Sequence, residues 1–317
     1  FDGAINQLDK DLERHIKEYL AVRCGMQEIF SYPWMEESYV NAILQSTDGI
    51  LALSTPPSPS ERFIRSSLLP NLCRAVAKNE RYYGDFAIFE TAQVFRDENY
   101  TAPYDEREKL PSQRKNVAGA FVSAGKDVTG LFRRAKGVVE MMPRYTHMEP
   151  YSFRQVSKPV WADEVVWLNI YLGEEYIGDL ALLSKRVSMA CSIKNVNVML
   201  FQLDQDALIP LRSRTNSFRH LAEYPMTDYD ISLLLDGQVK WADVAQTIGG
   251  IKNPLLHGAA FVDEYRGKQV PEGKKSLTAR LTIGSAEKTL TSAEIEEVAN
   301  SVLKKLAKCF GAELRSR

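Results

Sequence analysis

The chain has 317 residues, 44% of them hydrophobic and 26% charged, with 40 Lys and Arg against 41 Asp and Glu for a formal net charge of −1. That length exceeds what one hydrophobic core ordinarily supports, so two domains are expected, and the charge balance excludes a protein that holds nucleic acid through bulk field alone. No apolar run approaches the roughly 18 residues of a membrane span, and the four cysteines, never closer than 49 positions, form neither a Cys-x-x-Cys pair nor a disulfide framework.

In chain order, Leu8, Leu12, Ile16, Tyr19 and Leu20 recur at helical spacing and predict a helix over 8–24, stopped by Gly25. The β-branched and aromatic run 28–33 predicts a strand ended by Pro33, and 37–45 a second helix. Three prolines within 55–60 require a loop. Pro70 suits the first turn of a third helix over 69–83, with Leu69, Leu72, Cys73, Val76 and Ala77 on one stripe. Residues 86–90 and 92–95 read as two strands, and 97–115 as polar and structureless. A strand at 117–122, a helix at 128–142 and strands at 151–156, 165–172, 176–183 and 196–203 complete a first module of α+β class with a largely antiparallel sheet.

The basic stretch 212–220 has little apolar content, so a linker is placed at 212–221, between a domain of 1–211 and one of 222–317. The second domain reads strand (230–235), helix (241–248), strand (256–265), strand (276–283), helix from Thr291, and a short strand at 312–315. Thr291 and Glu294 have capping-box spacing, and Ile295, Val298, Val302, Leu306 and Phe310 form one stripe. This β-α-β-β-α-β order is the ferredoxin-like split motif. The first residue is Phe1 with no signal peptide after it, which reads as a piece cut from a longer chain.

A search for chemistry finds little. His15, His147, His220 and His257 have no partner at metal-ligand spacing, and neither a nucleophile elbow nor a phosphate loop is present. The acidic pairs at 105–106 and 174–175 sit in turns, where solvated acids are the rule.

One pattern stands apart. Phe89-Glu90, then Phe95-Arg96-Asp97-Glu98 and a charged loop, resembles motif 2 of class II aminoacyl-tRNA synthetases, whose Arg meets the ATP α-phosphate with a fixed guanidinium fork. With Ile64-Arg65-Ser-Ser-Leu-Leu-Pro70, Asn71-Leu72, Asn79-Glu-Arg81, Ile177-Gly-Asp-Leu180 and Phe201-Gln-Leu-Asp204, the first module resembles the catalytic-like domain of the bacterial phenylalanyl-tRNA synthetase β subunit. Glu223-Tyr-Pro225, Asp263-Glu-Tyr-Arg-Gly267, Lys274-Lys-Ser-Leu277, Thr289-Leu-Thr291 and Gly311-Ala-Glu-Leu-Arg315 resemble that family's ferredoxin-fold anticodon-binding domain. Departures are Ile64 for Leu, Asn71 for Gly, Ala92 for Gly, Asp263-Glu264 for Phe-Asp-Val, and Asp228-Tyr229-Asp230 where the family has Arg-Asp.

The resemblance implies a class II synthetase-like antiparallel sheet with flanking helices that performs no catalysis on this chain. No motif 3 is found, so Arg96 and Glu98 are expected to be structural. It implies a cytoplasmic α₂β₂ heterotetramer, with ATP and Mg²⁺ in the α subunit, tRNA(Phe) as partner, and no membrane or DNA. Helices 8–24 and 69–83 pair an apolar stripe with charges and suit either an interface or a core. Residues 222–317 carry thirteen positive and thirteen negative side chains, so any RNA contact must be local. Tyr265, Arg266, Lys268, Lys274, Lys275 and Arg315 are the candidates, because aromatic and basic groups stack bases and meet phosphates. Two other readings stay open: a free-standing paralogue binding RNA or protein, and an adenylate-forming enzyme using Arg96.

Overall fold

The computed structural model describes residues 7–101, 109–211 and 223–314, with 97–101, 109 and 110 as backbone only. The chain divides into two compact units, Phe1–Asn216 and Ser217–Arg317. The expected linker 212–221 lies outside the described residues.

In the first unit α1 (Leu8–Glu18) runs on through a π-helical turn, Tyr19–Arg23, to Gly25 at φ +66°. Then come β1 (Gln27–Glu28), β2 (Trp34–Met35), α2 (Glu37–Ile43), β3 (Phe63–Ile64) and α3 (Leu69–Asn79), with the prolines of 55–60 in a loop. The rest is β4 (Asp85–Thr101), β5 (Lys109–Ser123), α4 (Val128–Thr146), β6 (Ser152–Arg154), β7 (Ala162–Leu172), β8 (Glu175–Leu183), α5 (Lys185–Ala190), β9 (Asn197–Asp204) and α6 (Gln205–Leu208). Seven strands form one sheet in the order β1-β4-β5-β9-β8-β7-β6, antiparallel apart from the parallel β1–β4 edge.

Several local expectations are corrected. The two strands expected at 86–90 and 92–95 are one, and the stretch expected to be structureless supplies both arms of a long β4–β5 hairpin. Pairing there satisfies backbone groups whatever the side chains are, so the polarity of the sequence misleads. Of the strand expected at 28–33, only Glu28 pairs as one. The third helix stops at Asn79 rather than residue 83, and α4 runs four residues past Met142 with Pro143 in its last turn.

Both faces of this sheet are covered. One face packs with α1 and α4 through Leu12, Ile16, Phe89, Val117, Phe121, Val139 and Phe201. The other packs with α2, α3 and α5 through Ile43, Leu72, Val76, Ile88, Ala118, Ala120, Val187 and Leu200. Residues 117–122 of β5 and 198–201 of β9 are therefore buried without interruption, the signature of a strand covered twice. Glycine makes two close approaches possible: a Cβ on Gly119 would strike the Phe201 ring, and one on Gly178 the Gln202 carbonyl of the neighbouring strand.

The second unit contains β10 (Thr227–Asp236), α7 (Trp241–Gly249), β11 (Leu256–Tyr265), β12 (Lys274–Ile283), α8 (Ser292–Phe310) and β13 (Glu313–Leu314). Its antiparallel sheet has the order β11-β12-β10-β13, the ferredoxin-like arrangement. Thr291 and Glu294 close the expected capping box, and Gly311 ends α8 in the left-handed conformation. Ile231, Leu233, Leu235, Leu277, Ala279 and Leu281 turn one face of the sheet toward Val298, Val302 and Leu306 of α8; among the described residues of this unit no helix packs on the other.

Candidate nucleic-acid interface and the buried arginine–glutamate network

In the first unit the residues that carry the family resemblance converge on one buried network. Arg65 lies just before α3 and Glu90 midway along β4, with side chains 10% and 2% exposed and a charge pair at 3.1 Å. Arg65 Nε donates to the Gln93 carbonyl at 2.6 Å, and its NH1 reaches the Ser31 carbonyl at 3.3 Å. Burial lowers the Arg65 pKa, and the Glu90 charge opposes that shift. Glu90 accepts from the Ser31 amide at 2.9 Å and from its hydroxyl at 2.9 and 2.8 Å. Asn71 Nδ2 donates to Ser31 Oγ and to the Tyr32 carbonyl, each at 3.0 Å.

These bonds fix the backbone of residues 31–34, whose aromatic side chains point outward. Phe30 is 81% and Tyr32 71% exposed, and Tyr32 stacks on Trp34 with centroids 4.5 Å apart. This exposed aromatic pair was not among the site residues expected from sequence. Its signal was there: Phe30 and Tyr32 alternate with Ile29 and Ser31, so one side of an extended run had to carry both rings. Helices α1 and α3, by contrast, spend their apolar stripes on their own core.

Ser67 and Gln202, from two motifs 135 positions apart, also meet. Gln202 Oε1 accepts from Ser67 Oγ and from the Leu68 amide, both at 2.9 Å. Asp179 of the Ile-Gly-Asp-Leu stretch accepts from Asn169 and Tyr176 at 2.8 and 2.7 Å; burial still raises its pKa.

Arg96 is exposed and lies on the β4 face that carries Ile88, Glu90 and Val94. Farther along that face, at Ile88, Glu90 and Val94, the strand is covered by Arg65, Leu68, Leu72 and Val76. The Glu98 side chain lies outside the described residues. Among the described residues no cluster of three or more metal-ligating side chains occurs, and no helix is long and apolar enough to cross a membrane.

In the second unit Tyr265 closes β11 opposite Ser276, on the sheet face away from the helices. Arg266 donates to Glu264 and to the Gly237 carbonyl, both at 2.8 Å. Lys275 is 5% exposed and bonds the other Glu264 oxygen at 2.8 Å. Burial works to raise the Glu264 pKa, but the bonds from Lys275 and Arg266 outweigh it and hold the carboxyl below its ordinary value. Lys275 thus braces the sheet end through its ion pair with Glu264. Lys274 sits 3.6 Å from Glu313, and Lys268 is exposed. Arg315 lies outside the described residues.

Two family models match this chain: the phenylalanyl-tRNA synthetase beta chain CLM domain over residues 3–205, and the ferredoxin-fold anticodon binding domain over 222–315. Phenylalanine–tRNA ligase beta subunits from Oceanobacillus iheyensis and Carboxydothermus hydrogenoformans are 27% and 28% identical over 96% of the chain. The chain spans 38% of the length of each. A pyrrolysyl-tRNA synthetase from Desulfitobacterium hafniense superposes on 64% of this chain, and 69% of its own, with a TM-score of 0.52 at 15% identity, a likeness of fold.

Proposed function

The chain belongs to the phenylalanyl-tRNA synthetase β-chain family, and we propose that it is a non-catalytic portion of a phenylalanine–tRNA ligase that scaffolds the catalytic α subunit and holds the anticodon region of tRNA(Phe). Residues 1–211 are the catalytic-like scaffold, 212–221 the linker and 222–317 the anticodon-binding domain. The assembly is a cytoplasmic α₂β₂ heterotetramer, and ATP and Mg²⁺ act in α.

The observation that carries this reading is the double burial of the central sheet. A synthetase sheet that holds ATP must leave one face to its substrates, and here α3 and the Arg65–Glu90 pair fill the face that bears Arg96. The same pair serves a different end, because it fixes the segment that displays Phe30 and Tyr32. Two exposed aromatic rings on a rigid backbone suit a protein partner, since large rings bury much area at little entropic cost. We assign that segment to the α subunit. In the second unit Tyr265, Arg266, Lys268, Lys274 and Arg315 supply the RNA contact, with Lys275 behind them as brace.

The test is sedimentation of this chain with a phenylalanyl-tRNA synthetase α subunit from Carboxydothermus hydrogenoformans. A stable equimolar complex is expected, and it should be lost when Phe30→Glu and Tyr32→Glu are combined. A complex insensitive to those changes would move the interface elsewhere, and a chain that never associates with α would overturn the scaffold role.

A further inference from the structure

The zero net charge of the second unit hides a strong asymmetry. Its sheet has two ends, because Asp236 pairs with Lys274 at one and Thr227 with Ile283 at the other. β11 leaves at the first end, where Tyr265 lies opposite Ser276. β13 begins beside Leu234, so α8 also finishes there. Among the described residues, the segments at that end (236–243, 264–275 and 303–313) carry eight Lys and Arg against five Asp and Glu. The remainder, at the opposite end and middle, carries three against eight. Among the described residues the unit is therefore polarised, about +3 at one end and −5 over the opposite end and the middle.

The open face of the sheet falls on the acidic side. Asp228, Asp230 and Asp263 lie on it by register with Thr282, Arg280 and Thr278. The cation among them, Arg280, is spent on Asp230 through bonds of 2.7 and 2.9 Å. Sheets that read RNA across their face do so with central aromatic rings on which bases stack. Here the described aromatic on that face is Tyr265, at its basic corner, while Tyr229 and Phe261 point to the helix side. The basic pole, by contrast, is rigid. Lys275, Glu264 and Arg266 link β12 to β11 and to the Gly237 carbonyl, and the Gly237 amide bonds the Gly273 carbonyl at 2.8 Å. Exposed Lys268, Lys305 and Lys308, and half-buried Lys274, lie in the segments that finish at that end of the unit.

We infer that RNA docks end-on against this pole, its phosphates on Lys268, Lys274, Lys305 and Lys308 beside Tyr265, and that the acidic part of the open face around Asp228 and Asp230 lies away from it. The inference rests on the anticodon-binding role proposed above and adds the geometry of the contact, including two lysines of α8 outside the sequence motifs. A preformed cationic end binds at low ordering cost, and each phosphate it neutralises steepens the salt dependence.

The experiment is fluorescence anisotropy of a labelled tRNA(Phe) transcript with the 317-residue chain over a salt series. Three proteins are compared: the unaltered chain, Lys268→Gln/Lys274→Gln/Lys305→Gln/Lys308→Gln, and Asp228→Asn/Asp263→Asn, each checked for native circular dichroism. The lysine variant should weaken binding more than about tenfold near physiological salt and flatten the log–log salt slope by about 3. The aspartate variant should bind as tightly or tighter. Binding untouched by the lysine changes, or lost with the aspartate changes, overturns end-on docking while the RNA role stands. No binding by the unaltered chain at low salt removes the RNA role and the docking with it.

Discussion

The two sheets of this molecule are used in opposite ways. The first is covered on both faces, and its motif residues turn inward: Arg65, Asn71, Glu90 and Gln202 bond one another or the backbone around them. The second leaves one face bare and sorts its charges along the strand axis. A twice-covered sheet has no room for substrate and acts through what it displays at its rim. A sheet covered once has a surface to spend, and here that surface is acidic, which leaves its basic end for a polyanion.

The sharpest way to break this contrast is Arg65→Ala. It strands the buried Glu90 carboxylate and frees residues 31–34, so the first unit should lose about 3–5 kcal/mol in urea unfolding while the second keeps its own transition. Replacing both partners together, Arg65→Met with Glu90→Leu, should recover most of that loss, because no unpaired charge remains. A neutral Arg65→Ala would mean the network does not hold the scaffold.

A smaller effect is expected at the brace of the second unit. Lys275→Met removes a charged hydrogen bond from a buried site and should cost about 2 kcal/mol. Glu264 has its folded pKa below the unfolded one, so its stabilisation is complete above the ordinary carboxylate range and disappears as pH falls through the folded value. Acid unfolding of a Glu264→Gln variant should therefore show less loss between neutral and acid pH than the parent; equal pH dependence in the two would deny the brace its charge.

The smallest change is expected where sequence similarity to a catalytic motif is greatest. Arg96 is exposed beside a filled face, so Arg96→Ala should alter stability by less than about 0.5 kcal/mol and leave association with α intact. Loss of that complex in the variant would give Arg96 a role at the interface.

The sequence by itself carried the element order of the second unit and the main helices and strands of the first, the ferredoxin-like motif with its Thr291 cap, the stop at Gly25 and the family resemblance. These are local or near-local matters: periodicity, capping and turn chemistry act within a few residues, and so they can be read along the chain. Tertiary structure decided the rest. The long β4–β5 hairpin was invisible because cross-strand pairing does not depend on polar side chains. The fates of two lysines one residue apart, Lys275 buried on Glu264 and Lys274 near Glu313 at the sheet end, follow from the alternation of a strand whose register only its partners fix. The helices 8–24 and 69–83 looked equally suited to interface and core until the sheet lay between them. The charge poles of the second unit needed antiparallel strands and a returning helix to bring distant segments to one end, since composition counts charges and only the fold places them.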